Sequence, residues 1–251
     1  FKGSAGFVET TEDVFDVLVV DEAHRLKKKG AYQYKGLNQV MDIVKSTRLA
    51  VFFVDDNQMI RPDDIGSVSE IRRVAACYNA QIEEIDLVAQ FRCSGAEGYL
   101  NWLDNTLQIK ETANYDGWEQ DDFEFLIFKD PNELRKEIKL KNQEGFNSRI
   151  LAGFAWKWTS LKEGNTNGEI EDVEISEFDF KMPWNSRKVG TTWAIDDSGI
   201  NQIGCIHTSQ GLEFDYVGVI IGNDLRFNPD TLEFYVDWES YKDTEKKKGL
   251  K

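Results

Sequence analysis

Little in this sequence can build a redox or zinc centre. Of its 251 residues three are cysteine (Cys77, Cys93, Cys205) and two are histidine (His24, His207). The cysteines are odd in number, far apart and form no CxxC pair, which argues against a disulfide framework and makes a reducing cytoplasm the expected setting. Two histidines are too few for a His-rich zinc site. Long hydrophobic runs are missing too. The longest, such as Val17–Val20 and Leu49–Val54, have the length of strands, so no membrane span is expected. No signal peptide opens the chain, and "FKGSAGF" reads as an internal starting point. Positive charge is scarce: 30 Lys and Arg against 45 Asp and Glu leave a net charge of −15. A general nucleic-acid binder carries the opposite balance, so any such contact is expected to be local. Finally, none of the 19 glycines is followed by lysine. That excludes a loop whose backbone N–H groups and lysine cradle the phosphates of a nucleotide.

What is present suffices for a folded chain. Hydrophobic residues make up 41% and aromatics 12%, enough for one large domain or two small ones. "DVLVV" and "LAVFFV" are near-continuous apolar runs, as expected of parallel strands covered on both faces. Between them "GLNQVMDIVKS" predicts a helix with Leu37, Val40 and Val44 on one stripe. Ser67 and Glu70 have capping-box spacing at the start of a second helix, whose apolar stripe is Val68, Ile71, Ala75 and Tyr78. Ser94 and Glu97 repeat that spacing before a stripe of Tyr99, Leu100, Leu103 and Leu107. The pattern lapses at "KETANYDGWEQDD", which places a boundary between a first unit, 1–112, and a second, 113–251. The second unit is expected to hold a strand "FEFLIF", a helix begun by Asp130 and Pro131, a strand "RILAGFAW" and a return to the α/β pattern at "NQIGCIHTSQGLEFDYVGVIIG". Within residues 157–197 the alternation of Val173/Ile175 and Phe178/Phe180 changes phase, as in a β-hairpin arm with a bulge.

In an open α/β sheet, ligands gather beyond the carboxyl ends of the strands, and several of these ends are polar here. Asp21 and Glu22 close the first strand in the quartet "DEAH". An aspartate there can hold Mg²⁺, and the neighbouring glutamate can orient and deprotonate a water. Asp55, Asp56 and Gln58 close the second strand, where the glutamine can contact that water and a γ-phosphate. Arg92, in "QFRCSGAE", lies two residues before a capped helix and can present positive potential to a phosphate. His207, Thr208, Gln210, Gly211 and Glu213 crowd a turn between two strands. There Gly211 allows close backbone approach, Thr208 can donate to a phosphate and Glu213 can accept from a ribose hydroxyl.

These clusters, in this order, resemble those of superfamily 1 helicases: "VVDEAHRL" is similar to their motif II, "FFVDDNQ" to motif III, "QFRCS" to the motif IV arginine segment and "IHTSQGLEFD" to motif V. A closer resemblance, through "DEAHRL", "QFRC", "YLNWLDNTL", "RILAGFAWKW" and "GCIHTSQGLEFDYVGVIIG", is to the bacterial Schlafen-group-3-like DNA/RNA helicase domain family. It implies two RecA-like parallel-sheet units of P-loop NTPase type, both incomplete, with ATP at their interface. It also implies Asp21 on Mg²⁺, Glu22 as hydrolytic base, and Gln58 and Arg92 facing the γ-phosphate. Asp55, Gly211 and Glu213 would lie near the nucleotide, with Thr208 and His207 toward DNA or RNA. The missing Gly-Lys loop, and the lack of a final arginine motif after "GVIIG", mark the chain as an internal piece of a longer ATPase that does not turn over by itself. A second reading is a non-catalytic acidic scaffold, with the arm at 157–197 presenting Trp184 and Trp193 to a protein partner.

Overall fold

A computed structural model of the chain describes residues 2–28, 35–36, 38–59, 63–87, 97–112, 118, 123–159, 170–186 and 189–243. They fall into two compact units, one within 1–86 and the other within 87–244, a division earlier in the chain than the polar stretch at 110–122. Both are mixed α/β, with small parallel sheets and several helices.

In the first unit β1 (Phe15–Val20) and β2 (Thr47–Phe52) run parallel, Val17 opposite Leu49 and Val19 opposite Val51. The connection between them carries α1 (Gln39–Ser46), begun by Asn38, whose side chain accepts from the N–H of Met41. Ser67 caps α2 (Val68–Cys77) by accepting from the N–H of Glu70. The Glu70 carboxylate does not complete a capping box. It is held by both arms of Arg73, each at 2.7 Å, and by Asn38 Nδ2 at 3.1 Å, and the Arg73 pairing draws its pKa below the ordinary value. Val40 and Ile43 from α1, Val74 from α2, and Phe7 and Leu26 form the core under Leu18, Val20 and Phe52. Tyr78, expected in that core, lies just past the end of α2 and is exposed, and Val74 fills the stripe instead.

The other face of this sheet corrects a second expectation. Val17 is 52% and Val19 65% exposed, and Leu49, Val51 and Phe53 are exposed beside them. Among the described residues the strands are covered on one face only. A single crossover helix can lie against only one face of a two-stranded sheet.

In the second unit β3 (Ser148–Ala152) is central, parallel to β6 (Ile203–Gly204) on one side and β7 (Tyr216–Ile220) on the other. The helix α4 (Pro131–Gln143) starts as its sequence predicts, with Pro131 in the first turn and Asp130 accepting from the N–H of Asn132 at 2.8 Å. It packs on β3 and β7, and Gly218 lies so close beneath that a Cβ would sit 3.0 Å from Ile138. The expected hairpin is present as β4 (Val173–Ile175) and β5 (Phe180–Met182), and its phase change is taken up by a helical turn ending at Asp179, φ +48°. A second hairpin, β8 (Leu225–Asn228) and β9 (Glu233–Val236), follows β7.

The first hairpin folds into the unit. Beyond β5 the chain extends the sheet at β6: Ile203 N–H donates to Pro183 and Asn185 N–H to Ile203, both at 2.9 Å. Val173, Phe180, Met182 and Trp184 join Ile150 and Ile203 in the core. Trp184 is fully buried against Phe154, its Nε1 donating to the Gly204 carbonyl, and Trp193 is buried with its Nε1 donating to Gln202. Neither ring is the exposed anchor that the scaffold reading requires. Arg149, buried on β3, holds the incoming segment by donating to the carbonyls of Trp193 and Asp196. Burial draws its guanidinium below the ordinary pKa, with Asp197 and Asp196 acting in the opposite sense.

The strand expected at 123–128 is not formed. Ile127 is 83% exposed, and no described neighbour supplies a ladder. Phe123 and Phe125 pack instead with Trp118 and with Tyr99 and Trp102 of α3 (Glu97–Thr106). An apolar run does not distinguish a laddered strand from a segment held by its rings alone. The proposed cap of α3 at Ser94 lies outside the described residues. Among those residues no helix is long and apolar enough to cross a membrane.

Candidate functional site

The tips of β1 and β2 end at one level. Beyond the strands the ladder continues, Phe53 N–H donating to Val20 at 2.9 Å and Ala23 N–H donating to Phe53 at 2.8 Å. That pairing sets the "DEAH" turn beside the "DDNQ" turn. Asp21 is exposed, and its Oδ1 accepts from the N–H of Glu22 at 2.9 Å. Glu22 takes a left-handed backbone conformation, φ +50°, which a residue with a Cβ adopts at a cost and which recurs at functional sites. Its Oε2 is closed to solvent and lies 3.2 Å from Nε2 of His24, off the alignment of a hydrogen bond.

His24 is 2% exposed, and its Nδ1 accepts from the backbone N–H of Asp55 at 3.4 Å. Asp55 in turn accepts from Asn57 N–H at 3.0 Å and, through Oδ2, from Gln58 Nε2 at 2.8 Å. Four residues from two strand tips therefore form one connected set: Glu22, His24, Asp55 and Gln58. Asp56 points the other way and accepts from Val68 N–H at the start of α2.

The backbone of this turn is held from behind. Ile65 N–H donates to Leu26 at 2.7 Å, and the Lys27 ammonium pairs with Asp63 and the buried Asp64. Gly66 presses on the turn itself: a Cβ there would lie 1.6 Å from the carbonyl oxygen of Ala23. Neither Gly66 nor a role for His24 is visible in the sequence reading. For Gly66 the available signal is its place directly before the cap Ser67. The contacts of His24 depend on a strand neighbour 31 positions away and leave no local trace.

The second unit holds the remaining assigned residues. Thr208 Oγ1 accepts from Cys205 N–H at 2.8 Å and donates to the Cys205 carbonyl at 2.9 Å, within α5 (Ile206–Ser209). The hydroxyl also lies 3.5 Å from Asn185 Oδ1. His207 lies 6.1 Å ring to ring from Phe154. Gly211 has φ +81°, as a close turn requires, and Glu213 is exposed. Arg92 lies outside the described residues.

Among the described residues no group of three or more His, Cys, Asp and Glu could hold a metal ion. A zinc site takes three or four such ligands, whereas magnesium is commonly held by one or two carboxylates, water and substrate phosphate. The exposed carboxylate of Asp21 at a strand tip suits that second mode.

A family model described as "Schlafen group 3, DNA/RNA helicase domain" matches residues 1–251. The chain is also 26% identical over 238 residues to an uncharacterized protein of Saccharomyces cerevisiae, an alignment covering 85% of the chain and 50% of that protein. It therefore spans about half the length of this curated relative. The relative is a yeast protein, and nothing supports the expected bacterial origin. No solved structure matches the chain.

Proposed function

Because the chain belongs to the Schlafen group 3 DNA/RNA helicase domain family, we propose that it is part of a helicase or translocase driven by nucleoside triphosphate hydrolysis and acting on DNA or RNA. The observation that carries this reading is the juxtaposition of Asp21–Glu22 with Asp55–Gln58 at adjacent parallel strand tips, joined through His24. In it the two units are RecA-like and the nucleotide is ATP.

Asp21 holds magnesium, directly or through water. The ion's contribution, when bound, is to neutralise charge on the phosphates. Glu22, whose side chain stays partly open to solvent at the strand tip, accepts the proton of the attacking water. Gln58, oriented by Asp55, contacts the γ-phosphate or the water, and Arg92 adds positive charge. Gly211 and Glu213 are assigned to the nucleotide, Thr208 and His207 to nucleic acid. With a net charge of −15, nucleic-acid contact rests on such local groups. The phosphate-cradling Gly-Lys loop is not in this sequence, so the reading places it in polypeptide outside these 251 residues, and the isolated chain is expected to be inactive. The scaffold alternative loses its two tryptophan anchors to the core of the second unit.

The test is nucleic-acid-stimulated ATP hydrolysis by the full-length protein and its Glu22→Gln variant. A fall in kcat of about 10²–10⁴-fold is expected for loss of a general base. Unchanged turnover would remove Glu22 from that role, and a full-length protein without any triphosphatase activity would overturn the reading as a whole.

A further inference from the structure

We propose that His24 is a positioning residue, whose Nε2 edge backs the Glu22 carboxylate and whose Nδ1 ties it to the tip of β2. The proposal rests on the functional reading above for its consequence, and on geometry alone for its arrangement. With Nδ1 accepting from the Asp55 N–H, that nitrogen must keep its lone pair, so the ring proton belongs on Nε2, which faces Glu22 at 3.2 Å. The ring is buried, and the backbone that carries it is fixed by the Ala23–Phe53 pairing and by Gly66 pressing on the Ala23 carbonyl.

This arrangement gives the two strand tips a common element. The Asp55 backbone that donates to His24 belongs to the residue whose carboxylate orients Gln58. A phosphate that draws the Gln58 amide toward itself pulls on the Asp55 carboxylate bonded to it, and so shifts the Asp55 N–H on which the imidazole is seated and the contact to Glu22. In this way the general base is brought into line only when the phosphate contact is made. His24 touches no substrate in this scheme, so its loss should lower kcat and leave KM unchanged.

The test has two arms. In the first, the 251-residue chain is labelled with ¹⁵N-histidine. It contains two imidazoles, so a His207→Asn variant assigns the His24 signals. The expected ring is protonated at Nε2 and unprotonated at Nδ1, and its Nε2 resonance shifts in Glu22→Gln. A His24 ring protonated at Nδ1, in either charge state, or an Nε2 signal indifferent to Glu22→Gln, overturns the arrangement whatever the activity. In the second arm, ATP hydrolysis by the full-length protein is measured with His24→Ala and His24→Gln. Misplacement of a catalytic group costs on the order of 10²-fold, so His24→Ala should lose about that much kcat with KM within about twofold. His24→Gln, which keeps a donor toward Glu22, should recover part of it. An unchanged kcat in His24→Ala, or a loss entirely in KM, overturns the positioning role. If the wild-type protein hydrolyses nothing, the functional reading fails and the first arm still decides the geometry.

Discussion

The central strand of the second unit and the two strands of the first have much the same composition and opposite surroundings. β3 is buried along nearly its whole length, packed by α4 and by the segment running from β5 to β6, whereas among the described residues β1 and β2 leave Val17, Val19, Leu49 and Val51 bare. The difference lies in the connections. Between β3 and β6 the chain makes a hairpin, then returns along the edge at β6 and buries Trp184 and Trp193, and Arg149 clamps that return to the strand. Between β1 and β2 the described residues hold one α-helix, and they cover one face. An apolar strand thus reports its own capacity for burial. Whether that capacity is used is decided by what the chain does in between.

The comparison breaks first at Trp184. If the hairpin return is what covers β3, Trp184→Ala should cost about 3–5 kcal/mol, as expected for removing a large aromatic from a core, with urea unfolding followed by circular dichroism as the measurement. A loss below about 1 kcal/mol would mean that the second sheet does not depend on this cover. Next in size is Gly66→Ala. The Cβ must displace the Ala23 carbonyl, with an expected cost of about 1–3 kcal/mol and a change in the His24 imidazole signals. Unchanged stability and unchanged signals would show that the turn does not press on Gly66. The smallest effect belongs to the bare face: Val19→Ser should change stability by no more than about 0.5 kcal/mol in the 251-residue chain. The same substitution in the full-length protein sharpens the contrast, since a larger loss there would show that polypeptide outside these residues covers the sheet.

Elements with strong local signals were legible in the sequence. The period of "QVMDIVKS", the Asp130–Pro131 start of α4 and the phase change between Val173 and Phe180 all correspond to the observed helices and hairpin. The capping-box spacing at Ser67 was half right, because Glu70 found a stronger partner in Arg73. "FEFLIF" misled, since a strand exists only with a neighbour to ladder against. The same limit applies at the site. Asp21, Glu22, Asp55 and Gln58 could be picked out as polar residues after apolar runs, but the imidazole joining them could not.

By itself the sequence determined the mixed α/β character, the acidic surface, the absence of a Gly-Lys loop and the polar residues at the strand tips. All of these follow from composition, short-range periodicity and residue type. Tertiary structure alone decided that Trp184 and Trp193 are core, that one sheet face is bare among the described residues and that His24 stands between Glu22 and Asp55. Each of these depends on contacts between segments distant in the chain, and local propensity carries no record of such partners.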